Sequence, residues 1–314
     1  MNALLQLFPF SAYLEGELNN RFDVVSWHAM TEKERSDWLS EKADTVIAAA
    51  TAGHIGCESS LIEALPNLKI IATNGVGFDK VDLDLAESRG VHVTTTPGLL
   101  SEDVADLAVG LTLSLLRRIP AGDRYVRDGK WLQGEMPLAR KVTGRRFGIL
   151  GLGAIGSAIA ARLAPFGEVQ YCSRDPKEVP YTYHADVNSL ARSVDVLVIA
   201  CAANEETQKM VNAEVLSALG NNGWLVNISR GAVVDEEALI QALEQNTIAG
   251  AALDVFANEP NVPQSLIDSN NVVLTPHIAS ATEETRKDMA DCVIANLDAV
   301  LSGEIPPNCL HLKI

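Results

Sequence analysis

Apolar runs typical of β-strands alternate with helix-like segments over the second half of the chain, from position 146 onward. The strand-like runs are RFGILG, EVQYCS, DVLVIACA, GWLVNIS, AGAALDVF and NVVLTP. Helix-like segments separate the first five runs, and an irregular stretch joins the last two. Such regular alternation is typical of a parallel sheet that is covered by helices. The pattern therefore predicts a six-stranded, doubly wound α/β domain.

The first hundred residues show the same alternation, with strand-like runs ALLQLF, DVVSW, DTVIAAA, KIIATNG and VHVTTT. Helix candidates lie near 58–65 and 82–88, so a second parallel sheet is predicted here. A hinge is predicted at TTTPG, residues 94–98, and a helix follows with Ser101 as its N-cap. Residues 282–302 predict one long final helix that Thr282 caps. A length of 314 residues also favours two domains.

The charge and cysteine content of the chain disfavour several classes of function. With 25 Lys+Arg against 41 Asp+Glu, the net charge is −16. Such a surface repels nucleic acid and anionic lipid, and no apolar run reaches the roughly 18 residues that span a bilayer. The five cysteines are scattered and form no CxxC pair. This predicts a soluble cytoplasmic protein with neither a disulfide framework nor a metal site.

A glycine-rich turn follows the RFGILG strand and opens the next helix. Gly151, Gly153 and Gly156 form a GxGxxG pattern whose other positions are Leu152, Ala154 and Ile155. In such a turn the first glycine permits a tight reversal, and the second lets a pyrophosphate approach the backbone. The third lets helix and strand pack closely, and the helix N-terminus favours negative charge. Residues 151–156 are therefore predicted to bind a dinucleotide; the alternative is a structural turn without a cofactor.

The residues that end the second strand of this domain are expected to select the dinucleotide. A carboxylate there binds the ribose 2′-hydroxyl of NAD, whereas an arginine accommodates the 2′-phosphate of NADP. The chain has Ser173, Arg174 and Asp175 at this point. Arg174 can pair with a phosphate and stack on adenine, and Ser173 can donate a hydrogen bond. NADPH is the predicted cofactor; in the alternative, Arg174 lies in solvent, Asp175 holds the ribose and NADH is used.

Three reactive side chains follow three different strands of the predicted sheet. Arg230 follows the fourth strand, Glu259 comes shortly after the fifth, and His277 ends the sixth. Because ligands of doubly wound sheets bind beyond the carboxyl ends of the strands, these side chains are expected near one crevice. The alternatives are a surface ion pair for Arg230, a loop carboxylate for Glu259 and a helix cap for His277.

The chemistry of these residue types favours reduction of a 2-keto acid. A guanidinium such as that of Arg230 can bind a carboxylate through two hydrogen bonds and polarise the adjacent carbonyl. The imidazole of His277 can donate a proton to a developing alkoxide. A carboxylate beside that imidazole, here Glu259, favours its protonated form. A hydride donor is the remaining requirement.

Several stretches resemble the D-isomer-specific 2-hydroxyacid dehydrogenase family: NGVGFDKVDL, VTTTPG, SEDVADLAVGL, GILGLGAIG, NISRGAVVDEEAL, GAALDVFANEP and LTPHIAS. RDGKWLQGEMPL and YCSRDPK are further similar to the NADPH-dependent glyoxylate/hydroxypyruvate reductase branch. The resemblance implies two Rossmann-like or flavodoxin-like doubly wound domains with the active-site cleft between them. Residues 1–98 and 283–314 would form the substrate-binding domain, and residues 99–282 the dinucleotide-binding domain.

The same resemblance implies Arg230, Glu259 and His277 as the catalytic residues. The further implied site residues are Val76, Gly77, Trp131, Cys201, Ile228 and Asp254. Backbone amides around Val76 and Gly77 would hold the substrate carboxylate, and Asp254 would hydrogen-bond the nicotinamide amide. Cys201 and Ile228 would line the cofactor. Helix 107–115 would belong to a homodimer interface, from which Trp131 reaches the partner's active site or else remains an interface aromatic.

The implied function is NADPH-dependent reduction of glyoxylate to glycolate and of hydroxypyruvate to D-glycerate. One alternative is an NAD-dependent dehydrogenase for a bulkier D-2-hydroxy acid. Another is a cofactor-sensing binding protein similar to the corepressors of the family. The chain departs from the family pattern at GAIG, which lacks the arginine of many relatives, and at AANEET, where the role of Asn204 is left open.

Overall fold

The computed structural model describes residues 2–310. The chain separates into two compact units, which we call the first unit (Met1–Leu100 with Ala281–Ile314) and the second unit (Ser101–Ser280). The predicted assignment of a substrate-binding domain to 1–98 and 283–314, and of a dinucleotide-binding domain to 99–282, stays a prediction. Positions 1 and 311–314 of that assignment lie outside the described residues.

Strands and helices alternate along the described residues. The strands are β1 Ala3–Gln6, β2 Asp23–Val25, β3 Val46–Ala52, β4 Ile70–Asn74, β5 His92–Thr94, β6 Phe147–Leu150, β7 Val169–Cys172, β8 Thr182–His184, β9 Val196–Ile199, β10 Trp224–Asn227, β11 Gly250–Leu253 and β12 Val272–Leu274. The helices are α1 Ala12–Asn19, α2 Glu32–Lys42, α3 Ser59–Ala64, α4 Leu83–Ser88, α5 Ser101–Arg117, α6 Ile119–Arg127, α7 Ala154–Leu163, α8 Val187–Ser193, α9 Ala213–Leu219, α10 Glu236–Glu244, α11 Gln264–Ile267 and α12 Glu283–Leu301.

The first unit contains a parallel sheet with the strand order β2-β1-β3-β4-β5. This order is that of flavodoxin-like doubly wound folds. Alternate residues of each strand face opposite sides, so Leu5 and Ile71 pack in one core while Leu4 and Ile70 pack in the other. The second of these cores also contains Val293 and Leu297 from α12. The final helix therefore returns to the first sheet because its apolar face completes that core.

The second unit contains a parallel sheet with the strand order β12-β11-β10-β9-β6-β7-β8. Together the two sheets confirm the predicted α/β class with two doubly wound parallel sheets. The chain leaves β6 toward β7 on one side and later returns through β9 on the other. The carboxyl ends of β6 and β9 therefore flank the reversal point at which such folds bind ligands.

The predicted count of six strands in the second unit is wrong, because β8 adds a seventh strand. This edge strand has only three residues, Thr182–His184, and none of them is fully buried. Its pairing with β7 is supported by the His184 ring, whose Nε2 lies 2.7 Å from Oε1 of the buried Gln170. A tertiary contact rather than an apolar pattern thus defines this strand.

Two helix boundaries also differ from the sequence-based expectation. The predicted helix after TTTPG is interrupted at Arg118, whose φ of 55° ends α5 and starts α6. Ser101 begins α5 instead of preceding it. Leu111 and Leu115 of α5 are each only 3% exposed, and the helix packs on α7 and on the second sheet. The prediction for the final helix is confirmed, since the Thr282 side chain caps α12 by accepting from the Thr285 N–H group.

Within residues 2–310, every helix falls short of the length and hydrophobicity that a membrane crossing needs.

Candidate active site

The glycine-rich turn lies between β6 and α7. Gly151 has a φ of +94°, and a Cβ atom on it would lie 2.5 Å from the Cys201 Cα atom. A Cβ atom on Gly156 would lie 1.9 Å from the Gly151 carbonyl oxygen. At Gly153, by contrast, no atom lies within 4 Å of the Cβ position. Two glycines therefore allow close packing, and the middle one leaves open space beside the N-terminus of α7, where a pyrophosphate fits.

A cleft of about 710 Å³ lies beside this turn. Its walls are the glycine-rich turn, residues 172–177 after β7 and residues 200–207 after β9. The predicted cofactor-binding residues in this lining are Gly151, Leu152, Gly153, Ser173, Arg174 and Cys201. Ala154, Ile155 and Gly156 belong to α7, and Ile228 and Asp254 follow β10 and β11. Asn204, whose role the sequence left open, also lines the cleft.

The segment after β7 carries the residues predicted to select the cofactor. The Ser173 hydroxyl donates to the Asp175 carbonyl oxygen at 2.7 Å, so it acts within its own loop. Arg174 and Asp175 are both exposed. Among residues 2–310 neither forms an ion pair, so both charges remain available to a ligand in the cleft.

Cys201 lies against Gly151 of the glycine-rich turn, and Ile228 directly follows β10. Burial raises the pKa of the Cys201 thiol to about 11, so this side chain is uncharged at neutral pH. Ile228 is buried, and the neighbouring Ser229 hydroxyl donates to the Cys201 carbonyl oxygen. This hydrogen bond ties the segment after β10 to the segment after β9.

The turn that carries Arg230 is fixed by two residues that sequence reasoning did not single out. The buried Asn227 side chain donates to the Arg230 carbonyl oxygen at 3.0 Å and accepts from the Ser229 N–H group at 3.1 Å. A Cβ atom on Gly231 would lie 2.0 Å from the Phe256 carbonyl carbon. The turn after β10 therefore lies directly against the turn after β11. An asparagine that ends a buried strand and a glycine after the arginine were the available signals.

The Glu259 carboxylate and the His277 ring are within hydrogen-bond distance, with 2.7 Å between Oε2 and Nδ1. The other carboxylate oxygen of Glu259, Oε1, accepts from the Phe256 N–H group at 3.0 Å. Both oxygens are thus engaged, which fixes the carboxylate beside the ring. The side chains of His277 and Glu259 stay 30% and 20% exposed. A proton can therefore be exchanged between the imidazole and a bound molecule.

Asp254 is fully buried and holds the turn that carries His277. Its Oδ1 atom accepts from the Thr275 hydroxyl at 2.6 Å and from the Ile278 N–H group at 2.9 Å. Its Oδ2 atom accepts from the Ala279 N–H group at 3.0 Å. Burial raises the pKa of Asp254, and these hydrogen bonds lower it in part. The contact of Asp254 with a nicotinamide amide stays a prediction.

The predicted carboxylate-binding turn lies in the first unit, directly after β4. Val76 and Gly77 are partly exposed there. Among residues 2–310 neither backbone N–H group has a hydrogen-bond partner, so both can serve an anionic ligand. A Cβ atom on Gly53 would lie 2.7 Å from the Gly77 carbonyl oxygen, so Gly53 lets this turn pack against the residues after β3. The substrate contact stays a prediction.

Trp131 lies in the second unit, in a short 3-10 helix over Lys130–Leu132. Its side chain is 68% exposed, and the neighbouring Leu132 is 94% exposed.

Within residues 2–310, no group of three His, Cys, Asp or Glu side chains is arranged to hold a metal ion.

Comparison with known proteins extends the family resemblance. The family model described as D-isomer specific 2-hydroxyacid dehydrogenase, NAD binding domain, matches residues 109–279. The chain is 47% identical over 303 residues to glyoxylate/hydroxypyruvate reductase A of Arabidopsis thaliana, and 46% identical over 303 residues to hydroxyphenylpyruvate reductase of Plectranthus scutellarioides. Each alignment covers 96% of this chain and 96% of the relative.

A solved structure gives the same relationship in three dimensions. It is the NADPH-dependent glyoxylate/hydroxypyruvate reductase of Sinorhizobium meliloti in complex with NADP and malonate. The TM-score is 0.89 at 40% sequence identity, and the match covers 99% of this chain and 97% of that one. The chain therefore belongs to the D-isomer specific 2-hydroxyacid dehydrogenase family and is an NAD(P)-dependent oxidoreductase.

Proposed function

We propose that the protein uses NADPH to reduce small 2-keto acids, converting glyoxylate to glycolate and hydroxypyruvate to D-glycerate. The observation that carries the proposal is the His277–Glu259 pair, whose 2.7 Å contact lies in the unit that also contains the dinucleotide turn. The similarity to glyoxylate/hydroxypyruvate reductases supports this choice of substrates.

Each residue of the site has its own role in the proposed reaction. When bound, NADPH supplies the hydride, and residues 151–156, Ser173, Arg174, Cys201, Ile228 and Asp254 would hold it. Arg230 binds the substrate carboxylate and polarises the adjacent carbonyl. A carboxylate contact of the Val76 and Gly77 amides stays a prediction. His277 donates the proton at Nε2 to the carbonyl oxygen. Glu259 keeps the ring oriented through Nδ1 and balances the positive charge of the imidazolium.

Substrate size defines a second candidate function. The relative that is 46% identical over 303 residues is a hydroxyphenylpyruvate reductase. The same catalytic residues would serve a bulky 2-keto acid equally well, because they contact the carboxylate and the carbonyl that all such substrates share. We therefore propose a bulkier D-2-hydroxy acid, with NADH as the alternative cofactor, as the second candidate.

Initial rates with glyoxylate, hydroxypyruvate and hydroxyphenylpyruvate, each with NADPH and with NADH, test the proposal. We expect the highest kcat/KM with NADPH and one of the two small acids. Arg174→Asp is expected to raise the KM for NADPH far more than the KM for NADH, since a carboxylate repels the 2′-phosphate. Equal effects on both cofactors would refute this role of Arg174. Activity with the aromatic acid alone would favour the second candidate.

We also propose a cytoplasmic homodimer. Residues 119–138 carry a group of exposed apolar side chains, Ile119, Val126, Trp131, Leu132 and Leu138. Exposed apolar groups of this extent are typical of protein interfaces. The five cysteines all have free thiols, as expected in a reducing compartment. Light scattering should give about twice the 33.7 kDa chain mass; a mass near that of one chain would contradict the dimer.

A further inference from the structure

A second cavity, of about 510 Å³, lies within the second unit and shares no lining residue with the dinucleotide cleft. Its lining includes Trp224, which begins β10, Ala249, which precedes β11, and Val272, which begins β12. These positions are the amino ends of three neighbouring parallel strands. Because the proposed catalytic residues follow the carboxyl ends of the same strands, this cavity lies at the opposite edge of the sheet from them.

Three arginines, Arg118, Arg124 and Arg140, line this cavity. Among the described residues its lining contains neither aspartate nor glutamate, although the whole chain carries a net charge of −16. No ion pair engages any of the three guanidinium groups among residues 2–310. The Asp123 carboxylate, which precedes Arg124 in the chain, binds Arg127 at 2.8 Å instead. The positive charge of the cavity is therefore available to an anionic ligand.

The backbone of Arg118 is in the left-handed region, with a φ of 55°. Glycine adopts this conformation freely, whereas a residue with a Cβ atom adopts it at a steric cost. Residues held in such conformations cluster at binding and catalytic sites. His277, with a φ of 53°, is another residue of this kind, and it belongs to the proposed catalytic site. The turn between α5 and α6 alone would favour glycine, so a use of the guanidinium group accounts better for an arginine at this position.

The other walls of the cavity suit the organic part of a ligand. Leu115, Leu116 and Leu243 are buried, whereas Trp224 is partly exposed. The exposed Asn246 adds a side-chain amide that can donate a hydrogen bond. Apolar walls with a few polar groups, and a volume of roughly 300–1,000 Å³, are typical of small-molecule sites. A bare inorganic ion would leave these walls unused.

We propose that this cavity binds an organic diphosphate, a small molecule that carries two phosphate groups on an organic body. A phosphate monoester carries a charge of roughly −1.5 to −2 at neutral pH, so two such groups carry about −3 to −4. Three guanidinium groups balance most of that charge, and each can bind phosphate oxygens through two hydrogen bonds. A dicarboxylate would leave one arginine without a partner. The inference does not depend on the proposed function, because the cavity contains none of the proposed catalytic or cofactor-binding residues.

Calorimetric titration with ADP, an organic diphosphate, tests the inference. The titrated protein is the complex with its oxidised cofactor, so that the dinucleotide cleft is already filled. We expect one ADP to bind per chain. Pyrophosphate lacks the organic body and AMP lacks one phosphate, so each should bind at least about tenfold more weakly. Absence of ADP binding, or equally tight binding of pyrophosphate, would overturn the inference.

Four substitutions show whether ADP occupies this cavity. Arg124→Ala and Arg140→Ala should each raise the Kd for ADP roughly tenfold, as the loss of one charge-assisted contact does. Arg118→Gly should do the same without lowering the Tm, because glycine adopts the left-handed backbone freely. Arg192→Ala removes an exposed arginine of α8 outside the cavity lining and should leave the Kd unchanged. Wild-type affinity in all three cavity variants would show that ADP binds elsewhere and would overturn the inference.

The same variants separate the inference from the proposed homodimer and the proposed reaction. Leu138 lines the cavity and also belongs to the exposed apolar group of residues 119–138. Light scattering should therefore give each variant the mass of the wild type, and kcat with the 2-keto acid should stay unchanged. Loss of ADP binding under these conditions supports a local charge effect. If binding is lost only where the mass also changes, the three arginines are not the ligand contacts and the inference fails.

Discussion

Replacing His277 by alanine is expected to lower kcat by about a hundredfold or more, the loss typical when a general acid is removed. The ring is the proton donor of the proposed reaction, and its Nδ1 atom already pairs with Glu259 at 2.7 Å. No other histidine of the second unit pairs with a carboxylate among the described residues; His184 contacts Gln170 and Ser189 instead. In the described part of the second unit, the variant therefore has no second histidine–carboxylate pair that could replace His277 as the proton donor. Initial rates at saturating 2-keto acid and NADPH measure the effect.

Three measurements show whether the loss is chemical. Dinucleotide affinity, measured by calorimetry, should stay near the wild-type value in His277→Ala, because the cleft lining does not include this residue. His28→Ala, in the first unit, should leave kcat unchanged. Glu259→Gln should reduce kcat less than His277→Ala, since an amide still fills the space beside the ring but does not balance its charge. Near-wild-type turnover of His277→Ala would remove this residue from the mechanism.

The elements of the fold could be predicted where buried segments show a regular apolar pattern in the sequence. The central strands of both sheets consist of apolar runs, because both faces of a parallel sheet are covered. The edge strand β8 has no such run and depends on the contact between His184 and Gln170. The break between α5 and α6 rests on the left-handed backbone of Arg118. The apolar spacing of residues 101–119 continues across that break and could not reveal it.

The site could be predicted to the extent that strand ends determine it. Arg230, Glu259 and His277 follow strands β10, β11 and β12, which are neighbours in the sheet. The contacts that fix them join turns of different strands, such as the approach of Gly231 to Phe256. Such proximity depends on three-dimensional packing and leaves no regular spacing in the sequence. The role of the Asp254 carboxylate in holding the 275–279 turn could not be predicted from the sequence for the same reason.

Asp254→Ala is expected to destabilise the protein by roughly 3 kcal/mol at neutral pH and to lower kcat as well. The substitution leaves the Thr275 hydroxyl and the N–H groups of Ile278 and Ala279 without their acceptor. The Ala279 N–H group is buried, and a buried donor without an acceptor costs about 1–3 kcal/mol. The other two donors are partly buried and add less, and removal of a buried carboxylate offsets part of the sum. The activity falls because the turn that carries His277 loses its anchor, and small displacements of reacting groups cost large factors in rate.

Urea unfolding of both proteins, followed at several pH values, measures this effect. Burial raises the pKa of Asp254 above its ordinary value, so the charged form is the less stable one in the folded protein. In addition to the hydrogen bonds, the raised pKa therefore adds a contribution to stability that is present at low pH and is lost as the pH rises through the folded pKa. The difference between wild type and Asp254→Ala should therefore grow as the pH falls toward about 3.9, the ordinary pKa of an aspartate.

A control at a different aspartate tests whether the effect comes from burial. Asp82 is exposed and caps α4, where its side chain accepts from the Leu85 N–H group at 3.0 Å. Asp82→Ala should cost only about 1 kcal/mol, as the loss of an N-cap typically does, and should leave kcat nearly unchanged. Equal losses of stability in the two variants would contradict the role assigned to Asp254. Wild-type kcat in Asp254→Ala would show that His277 keeps its position without this carboxylate.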